Sequence, residues 1–264
     1  MADWAATGEA YAESFAKLCE GAVPALLAAA AGPTGALDGV RLLDVGTGPG
    51  TVAAAAAARG AIVTGVDPEL SMLTAARRRH PDIRFLSGML PELPFADEQF
   101  AAVTGNFVLN HVPDPALALG DLRRVTVAGG IVAVTAWPPG NSPLRPLWRE
   151  ALELSGAGAY PPDPVPEDEP RDRTEQGLVS LLQSAGLIDV TTEFTQWTFA
   201  IAPDELWRGV EGGVAGVGAI YRSLGADGRR ALRAAYVEVA RARAGTDGML
   251  RIPHTAILAS GRRP

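Results

Sequence analysis

Cysteine, long apolar runs and positive charge are scarce in this chain, and each scarcity excludes a class of protein. Cys19 is the only cysteine in the sequence, which rules out an intrachain disulfide and a metal cluster of cysteines. The longest apolar runs, such as residues 25–31, fall far short of the ~20 residues that a membrane-spanning helix requires. A net charge of −7 opposes nonspecific binding to nucleic acid or to an anionic membrane.

The remaining bulk properties fit a globular α/β protein. Hydrophobic residues make up 47% of the chain and charged residues 20%, which is typical of a folded domain. A length of 264 residues suits one α/β domain with insertions, or a domain with a small cap. The first residues carry no basic and apolar signal-peptide pattern, so we expect a cytoplasmic protein. Cys19 is expected to be a small buried side chain on an N-terminal helix, not a catalytic thiol.

The most informative stretch is LLDVGTGPG, at residues 42–50. An apolar run ends at Asp44, glycines then alternate at Gly46, Gly48 and Gly50, and an alanine-rich segment follows. A strand, a tight glycine turn and a helix open a nucleotide-binding α/β unit. Glycine suits such a turn because the backbone must bend sharply and approach a ligand closely.

The spacing of the glycines separates two classes of cofactor. Nicotinamide and flavin folds use G-x-G-x-x-G, which would place glycine at the position of Thr51. The pattern here is D-x-G-x-G-x-G, and it resembles motif I of the class I S-adenosylmethionine-dependent methyltransferases. A second predicted strand, 61–66, ends at Asp67, about 20 residues past the loop, where an acidic residue can accept hydrogen bonds from ribose hydroxyls. The alternative is that Asp67 only caps the helix that starts near Glu69.

The order of the later elements extends this resemblance over residues 4–137. Residues 87–100, SGMLPELPFADEQF, are similar to a loop of that family usually written GDAxxLPFxDxSFD. Predicted elements around this loop are a helix at 69–79, strands at 84–86 and 101–107, a helix at 114–124, a turn at 128–130 and a fifth strand at 131–137. The chain looks closest to small-molecule methyltransferases related to the ubiquinone and menaquinone biosynthesis C-methyltransferases. The resemblance implies a doubly wound, Rossmann-like α/β fold with a seven-stranded, mostly parallel sheet, helical N-terminal elements and an inserted cap.

The resemblance also implies a cofactor and the residues that hold it. The cofactor would be S-adenosylmethionine, with S-adenosylhomocysteine as the product. The residues expected to contact it are Tyr11, Asp44, Gly46, Thr47, Gly48, Gly50, Asp67, Pro68, Met72, Gly88, Met89, Leu90, Asn106 and Phe107. Met89 departs from the family, which often has aspartate after this glycine to meet the adenine amino group. A thioether accepts that hydrogen bond poorly, although it can pack on the adenine face.

Several aromatic and histidine residues have two interpretations. Phe107 either lines the crevice or packs in the core, and Tyr11 either folds over the cofactor or packs its own helix. His111 is the one candidate for a catalytic side chain, and the alternative is that it fixes its loop. His80 is expected at the surface, at the negative end of a helix. His254 is expected in a structural or surface role just before the last strand, away from the crevice.

The rest of the chain divides into predicted segments. The domains are expected at 1–137, at 138–176 as a proline-rich insertion, and at 177–264 with a helical insertion at 203–247. Residues 9–31 are predicted to form two short helices broken by Gly21 and Pro24. Further predicted elements are helices at 144–154, 178–185, 204–221 and 226–244, and strands at 190–200 and 256–260. The stretch 161–172 is either a lid over the acceptor or a solvated acidic connection.

The sequence therefore predicts a methyltransferase that acts on an O, C or N nucleophile of a small molecule by in-line displacement. Residues 106–109 lack the proline motif of enzymes that methylate exocyclic amines of bases or glutamine, and no acidic metal ligand follows the fourth strand, which favours metal-free chemistry. Two alternatives stay open: a methyltransferase fold that has taken up other chemistry, and a noncatalytic cofactor-binding protein. A small-molecule acceptor is the expected partner, and a homodimer is left open. Tryptophans at 137, 148, 197 and 207 either form an acceptor wall or fill cores and interfaces.

Overall fold

The computed structural model of the chain describes residues 6–140, 142–158, 160 and 173–264. The segment 161–172, which the sequence predicts as a lid or an acidic connection, lies outside these residues. None of the helices in the described ranges combines the length and the apolar character that crossing a bilayer demands.

Helices and strands alternate through the first half of the chain, and helices are inserted into the second half. The helices are α1 (Gly8–Glu13), α2 (Phe15–Glu20), α3 (Val23–Ala30), α4 (Thr51–Ala57), α5 (Leu70–Arg79), α6 (Pro115–Val125), α7 (Arg145–Ser155), α8 (Glu175–Ser184), α9 (Pro203–Glu211), α10 (Ala215–Ser223) and α11 (Ala226–Arg243). The strands are β1 (Arg41–Val45), β2 (Ile62–Asp67), β3 (Arg84–Ser87), β4 (Phe100–Asn106), β5 (Thr126–Ala136), β6 (Ile188–Ile201) and β7 (Leu250–Arg262).

The seven strands form one sheet in the order β3-β2-β1-β4-β5-β7-β6. Strands β1 to β5 pair in parallel, and β7 runs antiparallel to both of its neighbours, β5 and β6. The strand order reverses between β1 and β4, and α/β folds bind ligands outside the carboxyl ends of the strands at such a point. The predicted doubly wound, seven-stranded, mostly parallel sheet is confirmed.

Helices cover both faces of the sheet. Successive side chains of a central strand point to opposite faces, and in this sheet both sets are apolar and pack against helices. Leu43 packs with Leu122 of α6 and Leu182 of α8 on one face. Its neighbour Leu42 packs with Leu26 of α3 on the other. All five leucines are fully buried.

The inserted helices build a second core beside the sheet. Trp148 of α7, Trp207 of α9 and Tyr236 of α11 are at most 2% exposed and pack together. Leu250 of β7 and Ile201 of β6 belong to the same cluster, which we call the cap. Two of the tryptophans from the second half of the chain therefore fill this core.

The N-terminal segment forms three helices, so the prediction of two is wrong. The first break comes at Ser14, where φ is −130° and ψ is −88°. The Ser14 hydroxyl donates to the carbonyl of Ala10, and a serine that bonds its local backbone in this way competes with helix continuation. Pro24 breaks nothing, because it lies in the first turn of α3, where its missing N–H has no helical partner to lose.

The single helix predicted at 204–221 is also wrong, because the chain breaks it into α9 and α10. Gly212 ends α9, and Gly213 adopts a φ of +77°. A glycine in the left-handed region is a common stop for a helix, and the glycine pair was the available signal.

Strand β7 begins at Leu250, six residues before the predicted start at Ala256. The strand tolerates Pro253, which pairs with Thr198, although proline removes a ladder hydrogen bond. Over 250–256 this strand pairs with β6 alone, because its pairing with β5 starts at Ile257. The antiparallel pair of β6 and β7 therefore projects past the carboxyl end of β5.

Candidate functional site

The glycine loop lies between β1 and α4 at the carboxyl edge of the sheet. Gly46, Gly48 and Gly50 have φ values of +64°, +53° and +89°, a region that L side chains rarely adopt. The Thr47 N–H donates to the carbonyl of Val66 at 3.0 Å, which ties the loop to the end of β2. The loop therefore turns tightly and shows bare backbone at this edge.

Asp67 ends β2 and binds the loop directly. Its Oδ2 accepts the N–H of Gly48 at 2.9 Å, and its Oδ1 accepts the N–H of Glu69 at 2.9 Å. Glu69, not Asp67, is the N-cap of α5, so the carboxylate fixes the turn that precedes the helix. A carboxylate has about four lone-pair positions, which leaves about two for other donors. Burial raises the pKa of Asp67, and the two backbone bonds offset part of that rise.

Asp44 lies inside the edge of the sheet and is 1% exposed. Its Oδ2 accepts the Thr47 hydroxyl at 2.6 Å, and its Oδ1 accepts the Thr104 hydroxyl at 3.1 Å. Burial raises the pKa of Asp44 to about 7, and the bonds from the two threonines only partly offset it. The structure thus places this predicted cofactor residue under the loop, bonded to the side chain of Thr47.

The raised pKa of Asp44 predicts a specific dependence of stability on pH. In the unfolded chain this carboxyl titrates near pH 3.8, and in the folded chain near 7, so its contribution is full at low pH and is lost as pH rises through about 7. We expect the free energy of unfolding of the wild type, minus that of Asp44→Asn, to fall by about 1 to 2 kcal/mol between about pH 5.5 and 8. Urea unfolding at both pH values measures this difference, and a flat or rising difference would contradict it.

Tyr11 of α1 covers the glycine loop. Its ring carbon Cε1 lies 3.8 Å from the position that a β-carbon on Gly48 would take. Its hydroxyl donates to the Cys19 sulfur at 3.4 Å, and burial raises the pKa of that thiol to about 11. The position of Tyr11 is compatible with both predicted roles, contact with a cofactor and packing of the N-terminal helices. Cys19 is half-buried on α2, close to the predicted position.

Asn106 and Phe107 follow at the end of β4. The Asn106 Oδ1 accepts the Thr135 hydroxyl at 2.6 Å, and its Nδ2 donates to the Cys19 carbonyl at 3.1 Å. The Phe107 N–H donates to the same Thr135 hydroxyl oxygen at 2.9 Å. These bonds join the N-terminal helices to the ends of β4 and β5. Thr135 is absent from the predicted site, because a threonine inside an apolar strand carries no signal of such a role.

An aromatic cluster lies beside Asn106 and consists of Phe107, Trp137, Trp197 and His254. The Phe107 ring is 3% exposed and stacks on Trp137 with centroids 3.9 Å apart. The His254 ring centroid lies 5.9 Å from those of Trp137 and Trp197. The predicted position of His254 before the last strand is wrong, since the residue lies within β7; at 4% exposed it is compatible with the predicted structural role.

Five further predicted cofactor residues are distributed around Asp67. Gly88 donates its N–H to the Asp67 carbonyl at 3.3 Å. A β-carbon on Gly88 would lie 2.6 Å from Cδ of Pro94, so the loop after β3 is tightly packed. Met72 is 4% and Leu90 8% exposed, whereas Met89 is 61% exposed. Pro68 is also exposed. Of the five, Met89 and Pro68 are thus the ones most open to a ligand.

The other two histidines behave differently from each other. His80 ends α5, as predicted, and is half-buried; a β-carbon on Gly50 would lie 2.9 Å from its Cδ2, so one edge of the ring packs against the glycine loop. His111 is exposed at the end of a 3₁₀ turn, Val108–Asn110, and its N–H donates to the Val108 carbonyl at 2.9 Å. This geometry is compatible with a loop-fixing role and with a role in the site for His111.

Comparisons with known proteins identify the family. A model of the methyltransferase domain matches residues 43–134. The demethylmenaquinone methyltransferase of Renibacterium salmoninarum is 42% identical over 119 residues, which are 45% of this chain and 50% of that protein. The enzyme of the same name from Streptomyces griseus is 32% identical over 183 residues, or 66% of this chain and 73% of that protein. The chain belongs to the class I S-adenosylmethionine-dependent methyltransferase family.

A solved structure has the same fold as this chain over almost the full length of both proteins. A Bacillus halodurans protein described as a methyltransferase aligns with a TM-score of 0.55 at 20% identity, covering 92% of this chain and 98% of that one. The matched sequence spans about half the length of two of these relatives, 50% of the Renibacterium salmoninarum enzyme and 43% of the enzyme of the same name from Paenarthrobacter aurescens. The glycine loop, Asp44 and Asp67 all lie within the residues that the methyltransferase domain model covers.

Proposed function

We propose that this methyltransferase-family chain binds S-adenosylmethionine at the carboxyl edge of its sheet and transfers the methyl group to an O, C or N nucleophile of a small molecule. The observation that carries the proposal is the bond between Asp67 Oδ2 and the N–H of Gly48. It holds a carboxylate with about two spare lone pairs against a bare glycine backbone, at the point where strand order reverses.

The residues around the loop suit a cofactor that carries positive charge and a ribose. When bound, S-adenosylmethionine supplies a methyl group activated by its positively charged sulfur. Asp67 would accept hydrogen bonds from the ribose hydroxyls, and the glycines let the backbone approach closely. An ionised Asp67 adds negative potential at this edge, which favours a cationic ligand. The exposed thioether of Met89 would pack on the flat adenine.

The aromatic cluster supports the placement of the acceptor beside Asn106. Trp137 and Trp197 are half-buried, and the exposed parts of their rings suit contact with a planar or hydrophobic molecule. Two relatives are demethylmenaquinone methyltransferases by name, and we extend from them only the class of acceptor, a planar small molecule. We propose that the chain works in the cytoplasm and needs neither nucleic acid nor a membrane for this reaction.

Methyl transfer can be tested before the acceptor is identified. The chain is incubated with S-adenosylmethionine labelled in its methyl group and with a small-molecule extract, and the products are separated. We expect a labelled product together with an equal amount of S-adenosylhomocysteine. Conversion of extract components without S-adenosylhomocysteine would show that the fold has taken up other chemistry. Cofactor binding with no conversion at all would favour a noncatalytic binding protein.

A further inference from the structure

His254 lies where the paired strands β6 and β7 project past the end of β5. It pairs with Trp197 of β6, three residues before the start of the pairing between β7 and β5 at Ile257. Trp137 follows directly after the end of β5, and its ring contacts those of Phe107 and His254. The imidazole is therefore at the same edge as Asn106, although the sequence separates the two by 148 residues.

One hydrogen bond fixes the tautomer of this histidine. Nδ1 of His254 lies 2.9 Å from the carbonyl oxygen of Ile252. A carbonyl only accepts hydrogen bonds, so Nδ1 must carry a proton, and a neutral ring then keeps its lone pair on Nε2. Within the described ranges, Nε2 makes no hydrogen bond with another protein atom.

The surroundings of His254 keep the ring neutral. Burial lowers its pKa, and the bond to Ile252 offsets only part of that effect. The rings of Trp137, Trp197 and Phe199 surround it and do not titrate. The titratable groups near these rings include the Cys19 thiol and, bonded to it, the Tyr11 hydroxyl, and no charged side chain of the described residues contributes to the pKa of His254.

Both of these neighbours stay neutral as well. Burial raises the pKa of Cys19 and that of Tyr11, so neither carries charge at neutral pH. His254 thus presents an unprotonated, oriented nitrogen in a site without a charged neighbour on the elements that pack against it in the described structure. General bases of this kind work near neutral pH.

We propose that Nε2 of His254 takes the proton from a hydroxyl group of the methyl acceptor as that oxygen is methylated, an inference that rests on the proposed function. The oxygen–hydrogen bond breaks toward Nε2, and the oxygen electron pair forms the bond to the methyl carbon. The carbon–sulfur bond breaks with its electrons left on sulfur. The imidazolium later gives its proton to water.

The same contacts indicate which acceptor hydroxyl groups His254 can deprotonate. The imidazolium is stabilised by the Ile252 carbonyl and by the stacked ring of Trp197. Its orienting partner is a neutral carbonyl and not a carboxylate, so the base is of modest strength. It therefore suits the acidic hydroxyl of a phenol or an enol better than that of an aliphatic alcohol.

Two substitutions separate proton transfer from packing. His254→Asn keeps a donor near the Nδ1 position for Ile252 but has no basic nitrogen, and His254→Phe keeps a flat ring without either nitrogen. Labelled S-adenosylmethionine is offered with 2-naphthol, with the more acidic 4-nitrophenol, and with aniline as an amine. For 2-naphthol we expect kcat to fall about 100-fold in both variants, with unchanged KM for the cofactor. The fall in kcat at low pH should disappear, and the loss on 4-nitrophenol should be smaller.

Each other outcome overturns part of the account in a distinguishable way. A wild-type protein that methylates aniline but neither hydroxyl probe would overturn the role of His254 and leave the proposed function standing. A wild-type protein that binds no cofactor and methylates no probe would overturn both. An Asn variant with wild-type kcat and pH profile would overturn only the role of His254.

A measurement on the wild type covers the case in which the variants fail to fold. Long-range nitrogen–proton NMR correlations report the tautomer of His254. We expect the proton on Nδ1, and a shift of the Nε2 resonance when 2-naphthol is added to the complex with S-adenosylhomocysteine. A proton on Nε2, or no shift with saturating 2-naphthol, would contradict the proposal.

Discussion

Replacement of Asp67 with alanine should weaken the binding of S-adenosylmethionine by about 1.5 to 3 kcal/mol, the usual contribution of a hydrogen bond to a charged group. The side chain is 7% exposed and has lone pairs beyond those that bind Gly48 and Glu69. Loss of the carboxylate removes the proposed ribose acceptor and also releases the N–H of Gly48. Isothermal titration of the folded variant measures the change, which corresponds to a dissociation constant about 10- to 150-fold higher.

Asp121 of α6 provides a matched control for this substitution. It is also 7% exposed, and it accepts the N–H of Leu93 at 2.7 Å and the Arg124 side chain at 2.8 Å. Asp121→Ala should therefore destabilise the fold through loss of a buried carboxylate while leaving cofactor affinity unchanged. Equal affinity losses in the two variants would mean that the effect of Asp67→Ala is general destabilisation, and the ribose assignment would fail.

Gly48→Val is expected to have the largest effect, a loss of cofactor affinity of at least about 100-fold, or about 2.8 kcal/mol. Gly48 has a φ of +53°, which strains any L side chain, and a branched side chain would also fill the space beside Tyr11. The backbone could then no longer approach a ligand closely. The circular dichroism spectrum should stay close to that of the wild type, because the loop contributes little regular structure.

A valine at Gly35 is a control that distinguishes the effect of backbone strain from the effect of blocking the site. Its φ is +65°, and a β-carbon there would meet nothing within 4 Å. Gly35→Val should therefore carry a similar conformational cost, about 1 to 3 kcal/mol of stability, with normal cofactor binding. If Gly48→Val bound the cofactor as Gly35→Val does, the glycine loop would not be the cofactor site.

The sequence was sufficient for the parallel half of the sheet because local and tertiary signals agree there. The strand before Asp44, the alternating glycines and the acidic end of β2 each have one simple physical interpretation, and they occur in one compact unit. The helix breaks were harder to predict. At Ser14 the side chain binds a backbone carbonyl of the preceding helix, and apolar periodicity does not report such a bond.

The acceptor side of the site was the least predictable. His254 reaches the edge only because β7 extends past β5, and Pro253 hides that extension in the sequence. Thr135 binds Asn106 across two strands, a contact that depends on the register of β4 and β5. Register and strand overhang are tertiary properties, and a local pattern does not contain them.

Titration of the wild-type chain with S-adenosylmethionine tests the central claim most directly. The account predicts saturable binding of one cofactor per chain, competition by S-adenosylhomocysteine, and loss of the signal in Gly48→Val but not in Gly35→Val. The absence of saturable binding in a folded wild-type protein, or binding that Gly48→Val leaves intact, would contradict it.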